Sequence, residues 1–251
     1  MMPRRERLDA LVVDRGLAPT RARARALVLA GQVRVDGAVV SKAGAGVPDD
    51  ADVTLAAPDH PYVSRGGVKL AHALDAFGVE VAGRTALDVG ASTGGFTDVL
   101  LRRGAARVAA LDVGRGQIAW KLREDPRVTV IEGVNARGLD HAALPPEFHP
   151  VDLVTVDVSF ISLRLVLPPL PPLLGHAGDV VALVKPQFEA GRAEVGRRGV
   201  VSDTAVHRRV VEEVRSAADR IGLRPVAEAP SPITGAEGNR EFFVHLRHSQ
   251  A

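Results

Sequence analysis

The sequence predicts an α/β protein with a mostly parallel, doubly wound sheet, preceded by a small α+β unit. Three observations support this prediction. From residue 64 onward, short apolar strand segments alternate with helical segments. Residues 180–184 are apolar at every position, as expected for a strand covered by helices on both faces of the sheet. The first 58 residues, in contrast, contain signals for two short helices and a β-hairpin.

Composition excludes several classes of protein. The chain has 251 residues, of which 46% are hydrophobic and 25% charged, a balance typical of globular proteins. It contains no cysteine, which excludes disulfides, thiolate nucleophiles and cysteine zinc sites. The histidines show no metal-binding spacing, so we predict no metal site. The most apolar stretch, residues 165–174, contains four prolines and is too short to span a membrane. We therefore expect a cytoplasmic protein that does not enter membranes.

The predicted N-terminal domain comprises residues 1–59. Two helical stripes of apolar residues end at Gly16 and Gly31, and Thr20 can cap the second helix. Two β-prone runs flank Asp36-Gly37, which is a strong hairpin signal, and residues 53–55 can add a strand. These signals predict a small α+β domain.

Basic residues are concentrated in this first domain. Residues 1–42 hold nine basic and four acidic side chains, although the whole chain has a formal net charge of only +2. A basic module attached to a mildly acidic body is typical of a polyanion-binding arm. A solvated helix face would show the same excess of charge, so composition leaves both interpretations open.

Residues 60–63 are predicted to form a linker, and residues 64–251 a second domain. Ser64 can cap the helix that leads into the first strand of this domain. Seven strands are predicted, at residues 85–89, 108–113, 128–131, 151–158, 180–184, 225–229 and 242–246. Further helices are predicted at residues 97–103, 116–123, 162–167 and 204–221, the last capped by Ser202 or Asp203.

A glycine-rich loop follows the first strand of the second domain and opens a helix. Its small residues allow a ligand to approach the backbone and the N–H groups of the helix closely. Asp112 ends the next strand, at a position where an acid accepts hydrogen bonds from a ribose diol. Together these features predict a cofactor that contains adenosine. The candidate cofactor-binding residues are Asp88, Gly90, Ser92, Gly94, Gly95, Phe96, Asp112 and Asn135.

The order of residues in this loop favours S-adenosylmethionine over NAD. A dinucleotide fingerprint has the spacing G-x-G-x-x-G, whereas here the order is G-x-S-x-G-G-F. The carboxylate of Asp88, which precedes these glycines, suits a cationic ligand better than a pyrophosphate. A purely structural turn between strand and helix is the alternative interpretation.

Four charged residues are expected at the same edge of the sheet as the loop. Ligands of parallel sheets bind at the carboxyl ends of the strands, and Asp157 and Lys185 end two of the predicted strands. Glu241 begins the last strand, so it reaches this edge if that strand is antiparallel. Lys69 lies in the first turn of the helix before the first strand, which also lies over this edge. A pair of surface salt bridges is the alternative to a catalytic cluster.

These residue types suit the transfer of a methyl group to a ribose hydroxyl. Such a hydroxyl is a poor nucleophile and must lose its proton as it attacks the methyl carbon in line with the sulfur. Burial and a cationic neighbour can neutralise a lysine but not an arginine, and only four of the 32 basic residues are lysines. We assign the general base to Lys185, with Asp157 and Glu241 holding its nitrogen and Lys69 assisting its loss of a proton.

The motifs resemble two known domain families. The N-terminal helices and hairpin, with residues 31–37, resemble the S4 RNA-binding domain. The remainder resembles the FtsJ-like methyltransferase domain, which is a Rossmann-like class I methyltransferase fold with a Lys-Asp-Lys-Glu tetrad that matches the four charged residues. The combination is similar to the TlyA family of rRNA 2′-O-methyltransferases. The matching motifs lie at residues 64–70, 88–97, 157–162, 184–188 and 235–241.

The resemblance implies methyl transfer from S-adenosylmethionine to a cytidine 2′-hydroxyl in 16S or 23S rRNA, or in both. It implies ribosomal RNA or ribosomal subunits as partners, with no obligate protein partner. Members with a longer N-terminus also modify the small subunit, and residues 1–7 resemble that longer type. The family's RNA-contacting basic residues match Arg5, Arg7, Arg21 and Lys42.

Two phenylalanines beside the motifs are candidates for stacking. Phe96 and Phe160 can stack on adenine or on an extruded target base, although phenylalanine near strand ends is more often part of a core. We place Phe160 with the RNA-binding residues.

Three other functions are compatible with parts of the sequence. A membrane-active hemolysin is suggested by a label used within the family, but the sequence lacks a signal peptide and a transmembrane segment. A non-catalytic ribosome-binding factor would need only the basic arm, and the complete loop and tetrad argue against it. An NAD-dependent oxidoreductase is disfavoured by the glycine spacing.

Overall fold

The computed structural model describes residues 5–18, 20–29, 31–55, 60–197, 199–235 and 238–249. The chain divides into two compact units, Met1–Pro61 and Tyr62–Ala251. Tyr62 and Val63, which the sequence analysis placed in a linker, therefore belong to the second unit. The backbone N–H of Val63 donates to a carboxylate oxygen of Asp98 at 3.0 Å, which attaches this segment to a helix of that unit.

The first unit combines two helices with two small sheets. Its elements are β1 (Arg5–Arg7), α1 (Leu8–Asp14), α2 (Arg21–Leu29), β2 (Val33–Val35), β3 (Ala38–Val39), β4 (Gly46–Pro48) and β5 (Val53–Leu55). Strands β3, β2 and β5 form one antiparallel sheet, and β1 pairs with β4 in another. A core that includes Leu8, Val12, Val28 and Val33 lies between these elements.

The turns of this unit lie where the sequence predicts them. Gly16 and Gly31 end the two helices with left-handed φ angles of 70° and 69°. Asp36 and Gly37 have φ angles of 50° and 80°, as a two-residue hairpin turn requires. The sequence analysis missed β1 and β4. The charged sequence of the first and the Gly-Val-Pro sequence of the second show no strand pattern.

The second unit is a seven-stranded sheet with helices on both faces. It begins with α3 (Arg65–Phe77), β6 (Thr85–Val89), α4 (Gly95–Arg102), β7 (Arg107–Asp112), α5 (Trp120–Arg123) and β8 (Val128–Glu132). It continues with β9 (Val151–Val156), α6 (Leu163–Val166), β10 (Leu174–Val184) and α7 (Pro186–Glu189). It ends with α8 (Thr204–Asp219), β11 (Leu223–Pro230) and β12 (Phe242–His248).

The strand order in this sheet is β11-β12-β10-β9-β6-β7-β8. Strand β12 is antiparallel to both neighbours, and the pairs from β10 to β8 are parallel. The beginning of β12 therefore lies at the edge where β6, β9 and β10 end. Separate cores cover the two faces: Leu87 packs with residues of α6 and α8, and Ala86 packs with residues of α3 and α4. The prediction of a mostly parallel seven-stranded sheet is confirmed.

Several element boundaries differ from the prediction. The helix predicted at residues 116–123 is the single turn α5, which begins only at Trp120 because the backbone of its N-cap residue Ala119 is extended. Strand β10 begins at Leu174, before the apolar run that was used to predict it. Ser64 precedes α3, but its side chain makes no capping hydrogen bond. Asp203 caps α8, as predicted, by accepting from the N–H of Ala205 at 2.7 Å. Among the described residues, no helix is long and apolar enough to cross a membrane.

Candidate active site

The glycine loop between β6 and α4 packs directly against the end of β9. Gly90 has a φ of 85°, and a Cβ atom at this position would overlap the carbonyl oxygen of Asp157. Gly94 has a φ of 93°, and a Cβ there would overlap the side chain of Leu122. Both positions therefore require glycine for conformation and for space.

A cavity of about 590 Å³ lies on one side of this loop. Six of the candidate residues line it: Gly90, Ser92, Asp112, Asn135, Asp157 and Phe160. The carboxylate of Asp112 is held by the N–H groups of Ser92 at 2.8 Å and Gly114 at 2.7 Å. Asn135 accepts through Oδ1 from the N–H of Arg137 at 3.0 Å, which leaves its amide N–H₂ group for other partners. We call this the larger cavity.

A smaller cavity of about 290 Å³ adjoins the larger one. Candidate residues that line only the smaller cavity are Lys69, Gly95, Phe96 and Lys185. The two cavities share Gly90, Ser92, Asp157 and Ser159, so they meet where β6 and β9 end. This is the edge of the sheet at which the sequence predicts a ligand site.

The four charged residues form two ion pairs at this edge. The ammonium of Lys69 donates to a carboxylate oxygen of Glu241 at 2.5 Å, and both side chains are almost inaccessible to solvent. The ammonium of Lys185 lies 2.5 Å from Asp157 Oδ1 and donates to Ser159 Oγ at 3.0 Å. Glu241 thus holds Lys69 and not Lys185, which corrects one detail of the expected arrangement.

The position of Glu241 explains this pairing. It immediately precedes β12, and its Oε1 lies against the Cα of Gly235, where a Cβ would come within 2.6 Å. Glu241 itself lines neither cavity, so it reaches the smaller cavity only through Lys69. Gly94 also lines neither cavity.

Asp88 does not contact either cavity, contrary to its assignment as a cofactor ligand. It is fully buried in β6, and its two oxygens accept from the hydroxyls of Thr97 at 2.7 Å and Thr155 at 3.0 Å. Burial raises the pKa of Asp88 to about 7; the two hydroxyls oppose this shift, and the nearby charge of Asp157 adds to it. Asp88 connects α4 to β9 beneath the glycine loop.

The two candidate stacking residues differ in exposure. Phe96 is 3% exposed and packs on Phe243 with ring centroids 6.1 Å apart, so it forms part of the core beside the smaller cavity. Phe160 is 91% exposed, and its backbone has a left-handed φ of 64°. Its ring lies 5.1 Å from that of Phe188. Of these two phenylalanines, only Phe160 presents an open face for stacking.

Two of the four basic residues predicted to contact RNA, Arg7 and Arg21, bind one buried carboxylate in the first unit. Arg7 makes two hydrogen bonds to Asp9, at 3.0 and 2.7 Å, and Arg21 makes one at 3.2 Å. Hydrogen bonding to Arg7 lowers the pKa of Asp9 to about 2; burial opposes this shift and Arg21 adds to it. Arg5 donates to the carbonyl of Gly46. Lys42 is exposed and precedes Ala43, whose carbonyl accepts from the N–H of Asp9 at 3.0 Å.

Sequence reasoning missed three residues of these sites. Ser159 lies two positions after Asp157, and this spacing was the available signal for it. Gln117 lines the larger cavity and accepts from the Ser92 hydroxyl at 3.3 Å, but it lies in an irregular segment without a motif. Asp9 occupies a helix position where an acid is ordinarily exposed, and only its 5% exposure identifies it as a buried anchor.

Comparison with known proteins identifies the family. Residues 62–248 match the FtsJ-like methyltransferase family, and residues 6–53 match the S4 domain. The chain belongs to the FtsJ-like methyltransferase family. This membership confirms the predicted methyltransferase fold and enzyme class.

Individual relatives cover nearly the whole chain. The 16S/23S rRNA (cytidine-2′-O)-methyltransferase TlyA of Mycobacterium tuberculosis is 50% identical over 98% of this chain and 91% of its own length. Hemolysin A of Brachyspira hyodysenteriae is 38% identical over 96% of this chain and 99% of its own length. A solved structure from Streptococcus thermophilus that carries a hemolysin name is 43% identical, with a TM-score of 0.78 over 100% of this chain and 90% of that one. Some relatives of this chain thus carry a methyltransferase name and others a hemolysin name.

Proposed function

We propose that this protein transfers a methyl group from S-adenosylmethionine to the ribose 2′-hydroxyl of a cytidine in 16S or 23S ribosomal RNA, or in both. The observation that carries the proposal is the ion pair between Lys185 and Asp157, which lies where the two cavities meet. The name of the Mycobacterium tuberculosis relative supports the choice of reaction and substrate. A ribosomal substrate implies a cytoplasmic location.

The larger cavity fits S-adenosylmethionine in size and charge. Its volume of about 590 Å³ lies within the usual range of small-molecule sites, which is roughly 300–1,000 Å³. The carboxylates of Asp112 and Asp157 line it and suit a ligand with a sulfonium and an ammonium group. Each oxygen of Asp112 accepts only one backbone N–H, so a lone pair on each is free for a ribose diol. The bound cofactor supplies an electrophilic methyl carbon.

Lys185 acts as the general base in this proposal. Its amine takes the proton of the 2′-hydroxyl as the ribose oxygen bonds to the methyl carbon and the carbon–sulfur bond breaks. Because Lys185 lines the smaller cavity and its partner Asp157 lines both cavities, the ribose would bind in the smaller cavity and the cofactor in the larger. The reaction requires the hydroxyl to approach the methyl carbon from the side opposite the sulfur.

Lys69 has a different role from Lys185. Its ammonium lines the smaller cavity and is held in place by the nearly inaccessible carboxylate of Glu241. A fixed cation beside the attacking oxygen stabilises the negative charge that develops there as the proton leaves. We assign Lys69 to this electrostatic role and Glu241 to its positioning.

The first unit supplies RNA affinity. Asp9 holds the guanidinium groups of Arg7 and Arg21 while both remain more than half exposed, so they can contact phosphates without a loss of side-chain freedom on binding. Arg5 and Lys42 extend this basic surface. Phe160 would stack on the target base at the mouth of the larger cavity.

The test is to incubate the protein with methyl-labelled S-adenosylmethionine and with each separated ribosomal subunit, and then to map the labelled nucleotide. We expect label on a ribose 2′-oxygen of a cytidine in one or both subunits. Label on a base, or no label in either subunit, would contradict the proposal. The variant Lys185→Ala serves as the negative control.

A further inference from the structure

Ser159 lies beside the proposed base and lines both cavities, yet the proposed function does not assign it a role. Its hydroxyl oxygen accepts a hydrogen bond from Lys185 Nζ at 3.0 Å. The other neighbour of this nitrogen is Asp157 Oδ1 at 2.5 Å. Ser159 itself is exposed, so its side chain contributes little to the core.

The contact with Ser159 restricts the direction in which the lone pair of the Lys185 nitrogen can point. A neutral amine has two N–H bonds and one lone pair, and it can rotate about its bond to Cε. Asp157 Oδ1 lies 2.5 Å from this nitrogen as an ion-pair partner but accepts no hydrogen bond, so without Ser159 no N–H has a fixed direction and the lone pair can take more than one direction. The hydrogen bond to Ser159 fixes one N–H and the Asp157 carboxylate attracts the other, so the lone pair is left to point into the smaller cavity that Lys185 lines.

We infer that Ser159 is a positioning residue that directs the lone pair of neutral Lys185 toward the substrate hydroxyl. This inference rests on the proposed function. The uncharged hydroxyl suits the task, because a second carboxylate at this place would favour the protonated, inactive form of the lysine. The ionisable side chains around the smaller cavity are those of Arg65, Lys69, Asp157 and Lys185 itself.

Two sets of contacts join the segment that carries Ser159 to the segment that carries Lys185. Buried Glu189, which follows Lys185 in α7, accepts from the hydroxyl of Ser162 at 2.6 Å and from the N–H of Leu163 at 2.6 Å. The rings of Phe160 and Phe188 form a second contact between the same two segments. The segment that carries Ser159 is thereby fixed relative to the segment that carries Lys185.

The test compares the variants Ser159→Ala and Ser159→Thr with the wild-type protein. We expect Ser159→Ala to lower kcat by about 10- to 100-fold, the range that a misplaced reactive group can cost. KM for the RNA and the Kd for S-adenosylmethionine, measured by calorimetry, should stay within about twofold of wild type by the same reasoning. Ser159→Thr keeps the hydroxyl and should restore most of kcat. Ser216→Ala, at a half-buried position on α8 remote from both cavities, is the control.

Each outcome is decisive. An unchanged kcat in Ser159→Ala, a change confined to KM or Kd, or a threonine variant as slow as the alanine variant would overturn the inference. Wild-type protein that methylates neither subunit would instead contradict the proposed function, so the two failures are distinguishable. Circular dichroism melting curves show whether a slow variant is folded.

Discussion

The two lysines of the site have similar burial but different partners. Lys69 pairs with Glu241, which lines neither cavity, whereas Lys185 pairs with Asp157, which lines both. A proton acceptor must lie within hydrogen-bonding reach of the attacking hydroxyl, and of these two lysines Lys185 has the partner at the junction of the two cavities. The assignment of distinct roles therefore depends on the carboxylate that each lysine contacts.

Removing the amine of Lys185 should abolish methylation without affecting binding. We expect Lys185→Ala to lower kcat by about 10²- to 10⁴-fold, as for the loss of a general base. Lys185→Arg keeps a positive charge beside Asp157 but cannot accept a proton, so it should be equally slow. RNA affinity, measured by filter binding, should be nearly unchanged in both variants. Substantial turnover in either variant would show that the base is misassigned.

Asp88 should make the stability of the protein depend on pH. The pKa of Asp88 is about 7 in the folded protein, whereas its ordinary value is 3.8. Between these two pH values the folded state therefore binds more protons than the unfolded state. The contribution of Asp88 to stability is therefore lost as pH rises from about 4 to 7, by up to about 4 kcal/mol in total. The Asp88→Asn variant has no carboxyl group to titrate at this position. The free energy of unfolding of this variant should therefore increase relative to that of the wild type as pH rises.

Urea unfolding at several pH values measures this effect. The quantity to compare is the slope against pH, because a lost hydrogen bond to Thr97 or Thr155 would shift the Asn curve by a constant amount. Parallel curves for the two proteins between pH 4 and 8 would show that Asp88 is ionised throughout.

The glycine loop links the conformation of one turn to the formation of both cavities. Gly90 lines the two cavities and contacts the backbone of Asp157 too closely for any side chain. We expect Gly90→Ala to weaken S-adenosylmethionine binding by at least about tenfold, because a residue with a Cβ pays roughly 1–2 kcal/mol for this φ and must also displace the end of β9. Gly138→Ala is the control, since a Cβ there meets open space.

Calorimetric titration with S-adenosylmethionine tests this prediction. Wild-type affinity in Gly90→Ala would show that the loop does not form the cofactor site. Reduced affinity in Gly138→Ala would show that glycine substitutions act through general destabilisation.

In the proposed function, the first unit supplies RNA affinity and the second unit supplies the chemistry. Replacing Arg5, Arg7 and Arg21 by glutamine should weaken RNA binding and reduce the slope of log Kd against log salt concentration by about 2–3, because fewer counterions are released. The Kd for S-adenosylmethionine should be unchanged. Since Asp9 loses two partners in this variant, circular dichroism should first establish that it is folded.

A matched variant of the second unit controls for net charge. Glutamine at Arg208, Arg220 and Arg224, all exposed, removes the same charge from α8 and its surroundings. Its salt dependence should stay close to that of wild type. An unchanged slope in the first triple variant would place the RNA site outside the basic surface of the first unit.

The order of elements could be predicted from the sequence because each prediction used local chemistry. Alternating apolar segments indicated all seven strands of the large sheet, and Gly16 and Gly31 indicated the ends of the first two helices. Predictions failed where the local pattern was weak. The strands β1 and β4 owe their existence to pairing with each other, and α5 is short because the backbone remains extended up to Ala119.

Local sequence patterns therefore specified the strands, the turn positions and the edge of the sheet at which Lys69, Asp157, Lys185 and Glu241 would lie. The tertiary structure alone decided which carboxylate holds which lysine, that Asp88 lies beneath the loop, and that Ser159 contacts Lys185. Strand order places residues at an edge to within a few ångströms, whereas hydrogen bonds depend on side-chain directions set by packing between segments distant in the chain.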